Sequence, residues 1–536
     1  VTSGRVRLEG ISSARPDCRA AHRFSGHAAC CRIPYADHSV CGSDLWLAGV
    51  AGRTMGQPSA PLTSLTRYAL EALMRPSLGV PALSAALVAA VLAAPTPALG
   101  TEGGAGHCAR QERVRVPGAE LQRSACLADL TTTGLAGTPY TDMADQAGLT
   151  AGATRTPSGV PGVQVDGYFP DSSRFNATHG WRHDAQFVIR LPDRWNGGLV
   201  VTGAPGTRRQ YATDKAISDQ VLARGFAYAA TDKGNNGTDF YLDGTRPGDA
   251  VAEWNARTTQ LTRAARKAVA QRYGHAPRRT YMTGISNGGY LTRWQLENHP
   301  ELYDGGVDWE GALWTADGPN LLTSLPQAVA WSLGSASDED LYAAGFAPGS
   351  EFLWPYHQRA YWGVTQKTYR AEFDPAYDPR CPGPSAGTTL EEILAPCASD
   401  ATYDYASRPA SVRRAVARVA LTGRIQRPLI TLHGDLDTLL PKAADSDVYA
   451  RMIDTRGRGS LHRYYTIQGG THVDGLYDTH PDRLRPILPC YRSAFDTLVA
   501  WVERGTRPPA DRVVERPTGG DVVDSCALDG GTAARR

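Results

Sequence analysis

Three loops of this chain carry side chains fit for acyl transfer. Gly284-Ile285-Ser286-Asn287-Gly288 has the G-x-S-x-G form of a serine nucleophile, His433-Gly434-Asp435-Leu436-Asp437 offers carboxylates, and Gly469-Gly470-Thr471-His472 offers an imidazole. A serine hydroxyl is too weak an acid to attack an ester unaided. It needs an imidazole to take its proton and a carboxylate to orient and stabilise the resulting cation. The serine pattern alone decides nothing. With Gly at 56 of 536 residues, an unplaced G-x-S-x-G is expected about 0.3 times in such a chain, so its position among strands and helices has to decide.

Ala185 to Leu191, Gly198 to Thr202 and Phe226 to Thr231 read as strands, with a helix from Asp214 to Arg224 ending at Gly225. Ala252 to Tyr273 reads as a long helix stopped by Gly274. This alternation predicts a mostly parallel sheet with crossover helices. Thr280 to Thr283 is then a short strand, Gly284 to Gly288 a tight turn, and Gly289 to Asn298 a helix ended by Pro300, which puts Ser286 on a strand-to-helix elbow. The flanking glycines are expected to tolerate a strained backbone there. Pro428 to Leu432 runs into the aspartate loop, Tyr464 to Ile467 runs into the histidine loop, and Lys442 to Met452 can form the helix between them. Ser286, Asp437 and His472 therefore occur in the order Ser, Asp, His, each beyond the carboxyl end of a strand, where open α/β sheets bind ligands.

Tyr273 to Ala312, together with LHGDLDTLLP and GGTHVDG, resembles the α/β-hydrolase superfamily and, within it, the tannase and feruloyl esterase branch. Coverage runs from about Val163 to Arg504. The resemblance implies an α/β-hydrolase fold, a central mostly parallel sheet flanked by helices. It also implies Asp437, three residues after Gly434, as the acid in preference to Asp435. That branch commonly joins a cysteine before the serine to one after the histidine; here Ile285 and Val473 stand in those places, a departure that bears on tannase activity.

In the implied mechanism Ser286 attacks an ester carbonyl, His472 relays the proton and Asp437 holds the imidazole. The oxyanion calls for two backbone N–H donors. One is expected from Asn287. The other should come from Gly203-Ala204-Pro205-Gly206-Thr207; Pro205 has no N–H, so Thr207 is the candidate ahead of Gly206. The competing reading of this loop is a simple turn. His433, His462 and His480 read as structural.

From Trp314 to about Arg424 the alternation stops, over an interval too long for an ordinary loop. Trp331, Trp354, Tyr356, Tyr361 and Trp362 there would either meet an aromatic or apolar acyl group or form the segment's own core. The domain boundaries follow: 1–73, a doubtful upstream extension; 74–100, a signal peptide; 101–313 and 425–536, the two parts of the hydrolase core; 314–424, an inserted lid. Met74-Arg75, the apolar run Leu78 to Ala94 and Ala98-Leu99-Gly100 carry the signal reading, and residues 1–73 then read as translation from a start codon chosen too early. A membrane helix is the competing reading, opposed by Pro81 and Pro95.

Cys108, Cys126, Cys381, Cys397, Cys490 and Cys526 would form three disulfides in an exported chain, with Cys108–Cys126 and Cys381–Cys397 favoured by proximity. No pair has zinc-site spacing, and FDPAYDP, with Asp374 and Asp378, lacks the spacing of a calcium loop. Neither metal nor cofactor is expected. A net charge of +2 and the absence of a basic stripe argue against nucleic acid. The sequence thus predicts a secreted serine esterase acting on a small or oligomeric ester, phenolic or hydroxyalkanoate, without stable membrane association after signal cleavage. A serine peptidase on the same fold and a non-catalytic binding homologue are the alternatives.

Overall fold

Each strand near the middle of the sheet is a short run buried along its whole length, the pattern of a sheet covered on both faces. In chain order the strands are β1 (Leu121–Leu127), β2 (Gly162–Tyr168), β3 (Gln186–Pro192), β4 (Gly198–Gly203), β5 (Ala227–Thr231), β6 (Arg279–Ile285), β7 (Gly305–Trp309), β8 (Leu429–Gly434), β9 (His462–Ile467) and β10 (Arg512–Val514). They form one sheet in the order β1-β2-β3-β5-β4-β6-β7-β8-β9-β10. The pairings from β5 through to β10 are parallel, and those joining β1, β2, β3 and β5 are antiparallel. This computed structural model describes residues 114–170, 184–380 and 396–529, all within one unit, Pro61–Arg536. The upstream extension, the signal segment, Cys108 and Cys381 lie outside the described residues.

Alternation along the strands sends Leu199 and Val201 to one apolar layer and Val200 to the other. The first layer is covered by α1 (Asp249–Tyr273) and α2 (Asn287–Asn298) and by residues of the segment between β7 and β8, which includes α3 (Gly363–Phe373) and, among the described residues, no strand. The second lies under the helix Asp219–Ala223 and, after α4 (Ser446–Thr455), α5 (Leu488–Arg504). Trp314, Trp354 and Trp362 are buried in the first layer, so these indoles belong to the core; Trp331, Tyr356 and Tyr361 are half-buried.

Two element boundaries differ from the sequence reading for identifiable reasons. α1 starts at Asp249, after Gly248 at φ 83°, rather than at Ala252, and it stops as expected at Gly274. The run expected over Lys442 to Met452 is broken at Asp445, whose carboxylate accepts from Arg293 and from the Leu313 N–H, so that α4 begins only at Ser446.

Arg293, on α2 and fully buried, clamps that helix to its surroundings. Its guanidinium donates to Asp308 at 2.6 Å, to Asp445 at 2.8 Å and to Ser446 Oγ at 2.6 Å. Removing one partner of such a cluster leaves buried charge uncompensated. Arg293→Met is therefore expected to lower stability by about 3–5 kcal/mol, seen as a fall in the urea midpoint at unchanged slope. A loss below about 1 kcal/mol would show that water or rearrangement compensates the two aspartates.

Candidate active site

The strand order reverses at β4: β5 lies on one side of it and β6 on the other. The loops after β4 and β6 therefore meet at the carboxyl edge of the sheet, the place where ligands bind in open α/β sheets. They meet closely. A Cβ on Gly288 would lie 2.5 Å from the Gly203 carbonyl oxygen, and one on Gly284 would lie 2.3 Å from the Gly288 carbonyl carbon. The two glycines of G-x-S-x-G are thus required for close approach. The backbone strain expected of them falls instead on Ser286, at φ 58°. β6 runs to Ile285, two residues beyond the Thr283 at which the sequence reading ended that strand, so Ser286 follows it directly and Asn287 opens α2.

The structure brings the three expected side chains together. His472 Nδ1 lies 2.8 Å from Asp437 Oδ2, and its Nε2 lies 2.9 Å from Ser286 Oγ. A carboxylate only accepts, so Nδ1 carries the imidazole proton and Nε2 presents its lone pair to the serine hydroxyl. Ser286 is half-buried, while His472 and Asp437 are buried. Burial alone would raise the Asp437 carboxyl; the charge of His472, with hydrogen bonds from His433 and His472, outweighs it and holds the group far below the usual carboxylate range. The other Asp437 oxygen, Oδ1, accepts from the N–H groups of Leu439 and Leu440 at 2.8 and 2.9 Å.

Asp435 is elsewhere. Its carboxylate accepts from the Gly469 N–H at 2.7 Å and so shapes the turn that leads to His472. His433, expected to be structural, links Ser446 Oγ (2.6 Å) to the Leu440 carbonyl (2.8 Å) and continues the Arg293 network toward the Asp437 loop. His462 faces Thr431 Oγ1, and burial lowers its pKa to about 3, with the charges of Arg293 and Arg463 adding to the effect. His480 packs edge-on against Phe352. Asp374 and Asp378, the carboxylates weighed for calcium, pair with Arg408 and Arg380.

For the oxyanion, the Asn287 N–H at the head of α2 and the Thr207 N–H are absent from the backbone hydrogen bonds of the described residues, so both remain available. The Asn287 side chain binds the two loops together. Its amide donates to the Gly206 carbonyl at 3.1 Å and faces the Tyr369 hydroxyl of α3 at 2.8 Å. Trp362 Nε1 donates to the Thr438 carbonyl at 2.8 Å, and Thr438 Oγ1 lies 2.6 Å from His357 Nδ1. The segment between β7 and β8 thus touches both the Ser286 elbow and the Asp437 loop. Neither Tyr369 nor His357 was a candidate from the sequence, since nothing local marks a partner that far along the chain. Tyr369→Phe removes the hydroxyl that faces both ends of the Asn287 amide, 2.8 Å from Nδ2 and 3.0 Å from Oδ1, and a three- to tenfold lower kcat/KM is expected, corresponding to roughly 1 kcal/mol. An unchanged value would mean that α3 does not help to position the donor.

Glu310 was also missed. It follows β7 directly, is fully buried at φ 50°, and places Oε2 3.7 Å from His472 Nδ1. Glu310, Asp437 and His472 each offer a potential ligand atom within 4.8 Å of the others. The proton on Nδ1 occupies the lone pair that a cation would need.

A serine on a strand-to-helix elbow after β6, an aspartate after β8 and a histidine after β9 on this sheet decide the architecture. The chain has the α/β-hydrolase fold. The family model described as Tannase and feruloyl esterase matches residues 175–310, roughly a quarter of the chain, and the chain resembles that branch there. It is similar to mono(2-hydroxyethyl) terephthalate hydrolase of Piscinibacter sakaiensis, 32% identical over 142 residues, a match that covers 24% of this chain and 23% of that relative. Among solved structures, feruloyl esterase B of Aspergillus oryzae aligns at a TM-score of 0.44 and 14% identity, covering 76% of this chain and 92% of that one. Tannin acyl hydrolase of Aspergillus niger aligns at 0.42 and 13%, covering 72% and 83%. At the positions where the resembling branch carries its cysteine pair, Ile285 packs in the second apolar layer and Val473 in a small cluster with Leu149, Ala204 and Ala212.

Proposed function

We propose that this α/β-hydrolase is a serine esterase that cleaves carboxylic esters through an acyl-enzyme. The observation that carries the reading is the placement of His472 between Ser286 Oγ and Asp437. Ser286 Oγ attacks the ester carbonyl as its proton passes to His472 Nε2. The backbone N–H groups of Asn287 and Thr207 receive the oxyanion. Collapse expels the alcohol, which takes the proton from Nε2, and water repeats the sequence to release the acid and regenerate Ser286. Asp437 keeps the Nδ1 proton in place and stabilises the imidazolium throughout.

The segment 314–424 acts in this reading as a lid, and its contacts with Asn287 and Thr438 support a part in shaping the site. The names of the matched family and of the terephthalate-monoester relative favour an aromatic acyl group. Initial rates with p-nitrophenyl esters of varied chain length, methyl ferulate, methyl gallate, mono(2-hydroxyethyl) terephthalate, 3-hydroxybutyrate oligomers and aminoacyl amides test it. Ester cleavage with an aromatic preference is expected. Faster turnover of the amides would replace this reading with a peptidase.

Export is part of the proposal. Among the described residues no helix is long and apolar enough to cross a membrane. Cys490 is bonded to Cys526, and Cys126 and Cys397 are each disulfide-bonded as well. Mass spectrometry of the secreted form, with and without reduction, should find a start near Thr101 and no free thiol. Peptides from 1–73 in that form would contradict an early start codon.

A further inference from the structure

Two adjacent strands end in carboxylates at His472. β7 lies between β6 and β8, with Trp309 in register with Ile285 on one side and with Leu432 on the other. Glu310 therefore emerges next to Ser286 and beside the loop that carries Asp437. Its Oε1 is fixed by the Gly434 N–H at 2.6 Å, whereas Oε2, 3.7 Å from His472 Nδ1, makes no hydrogen bond among the described residues. A fully buried glutamate held at positive φ with one oxygen unpartnered is costly to keep. Asp437 and Asp474 are the charged groups that act on it, the Gly434 N–H and the Trp309 indole oppose them, and His472 faces it at 3.7 Å. Burial, and then the negative charge of Asp437, push its carboxyl well above the usual range, so it holds a proton while Asp437 is ionised.

We propose that Glu310 is a positioning residue, a second acid for His472 that becomes the carboxylate partner of Nδ1 when the charge of Asp437 is removed. This rests on the Ser286–His472–Asp437 reading above. In the native protein like charges keep only one of the two carboxyls ionised. Without the Asp437 carboxylate Glu310 can lose its proton, and closing 3.7 Å to hydrogen-bond distance needs a movement of only about 1 Å. Asn at 437 blocks this takeover. Its carbonyl oxygen must keep the Leu439 and Leu440 N–H groups, so its NH2 points at Nδ1 and forces the wrong tautomer whatever Glu310 does.

The test is kcat/KM for an activated ester in Asp437→Ala, Asp437→Asn and Glu310→Gln and their combinations, with melting curves to show that each variant folds. Asp437→Ala is expected to retain roughly tenfold or more of the activity of Asp437→Asn. Adding Glu310→Gln to Asp437→Ala should remove that advantage, at a cost at least about tenfold greater than the same change causes in the otherwise native protein. A Glu310→Gln cost equal in both backgrounds, or Asp437→Ala no better than Asp437→Asn, overturns the proposal. Adding Ser286→Ala to Asp437→Ala separates the two levels. Turnover that survives it comes from elsewhere, and the serine reading falls with this one; turnover that vanishes with Ser286→Ala but persists with Glu310→Gln overturns only the role of Glu310.

Discussion

Ser286→Ala should abolish ester turnover while leaving the protein folded, with kcat/KM falling by on the order of 10⁴ or more. The loss is this large because no other group can form the acyl-enzyme; what remains is water attack helped by the oxyanion donors and by substrate binding. The fold should survive because the side chain contributes little to it. The one hydrogen bond of Ser286 Oγ among the described residues is to His472, and alanine at φ 58° is no more strained than serine. The backbone bonds of the elbow, from Ser286 N–H to the Trp309 carbonyl and from Tyr290 N–H to the Ser286 carbonyl, are untouched. Rates and melting temperature measured on the same preparation decide it. A folded variant that keeps more than about a hundredth of the native rate would remove Ser286 from the chemistry.

What could be read ahead of the structure followed from burial. β3, β4, β5, β6 and β8 are short runs rich in apolar residues and buried over all or nearly all of their length, because strands covered on both faces need little else, whereas β9, HRYYTI, is only partly buried; the ends of β6, β8 and β9 placed Ser286, Asp437 and His472. β7 escaped because its sequence, Gly305-Gly306-Val307-Asp308-Trp309, reads as a turn with one charge. In the sheet a Cβ on Gly306 would lie 2.8 Å from the Met282 carbonyl oxygen, and Asp308 is the buried partner of Arg293. Missing β7 meant missing Glu310, since an acid acquires meaning only once the strand before it is known. The outer strands β1 and β10 alternate poorly or are three residues long, so their periodicity carries little signal. Asp435 and Asp437 illustrate a different limit. Both are loop carboxylates two residues apart, and the sequence by itself ranks neither; the resemblance preferred Asp437. In the structure one faces the Gly469 N–H and the other faces His472, a difference of direction that spacing does not encode.

Asp437→Asn should therefore lower kcat/KM by about 10³ to 10⁴, and Asp435→Asn by far less. The cause in the first case is geometric as well as electrostatic. Leu439 and Leu440 fix the carbonyl side of the new amide, its NH2 faces Nδ1, and the imidazole answers by moving its proton to Nε2, where it can no longer accept from Ser286. The imidazolium formed during attack also loses the negative charge that stabilises it. Asp437 stays ionised through the acid range because the charge and hydrogen bonds of its histidine neighbours overcome its burial. Its titration is therefore not expected to produce an acid limb in the native pH–rate profile. In Asp435→Asn the amide oxygen can still accept from the Gly469 N–H, so the turn before His472 keeps its bond. Both variants are measured with the same ester at saturating and limiting concentration. If Asp435→Asn does the greater damage, or if Asp437→Asn raises KM while sparing kcat, then Asp437 serves binding and the histidine takes its orientation from another group.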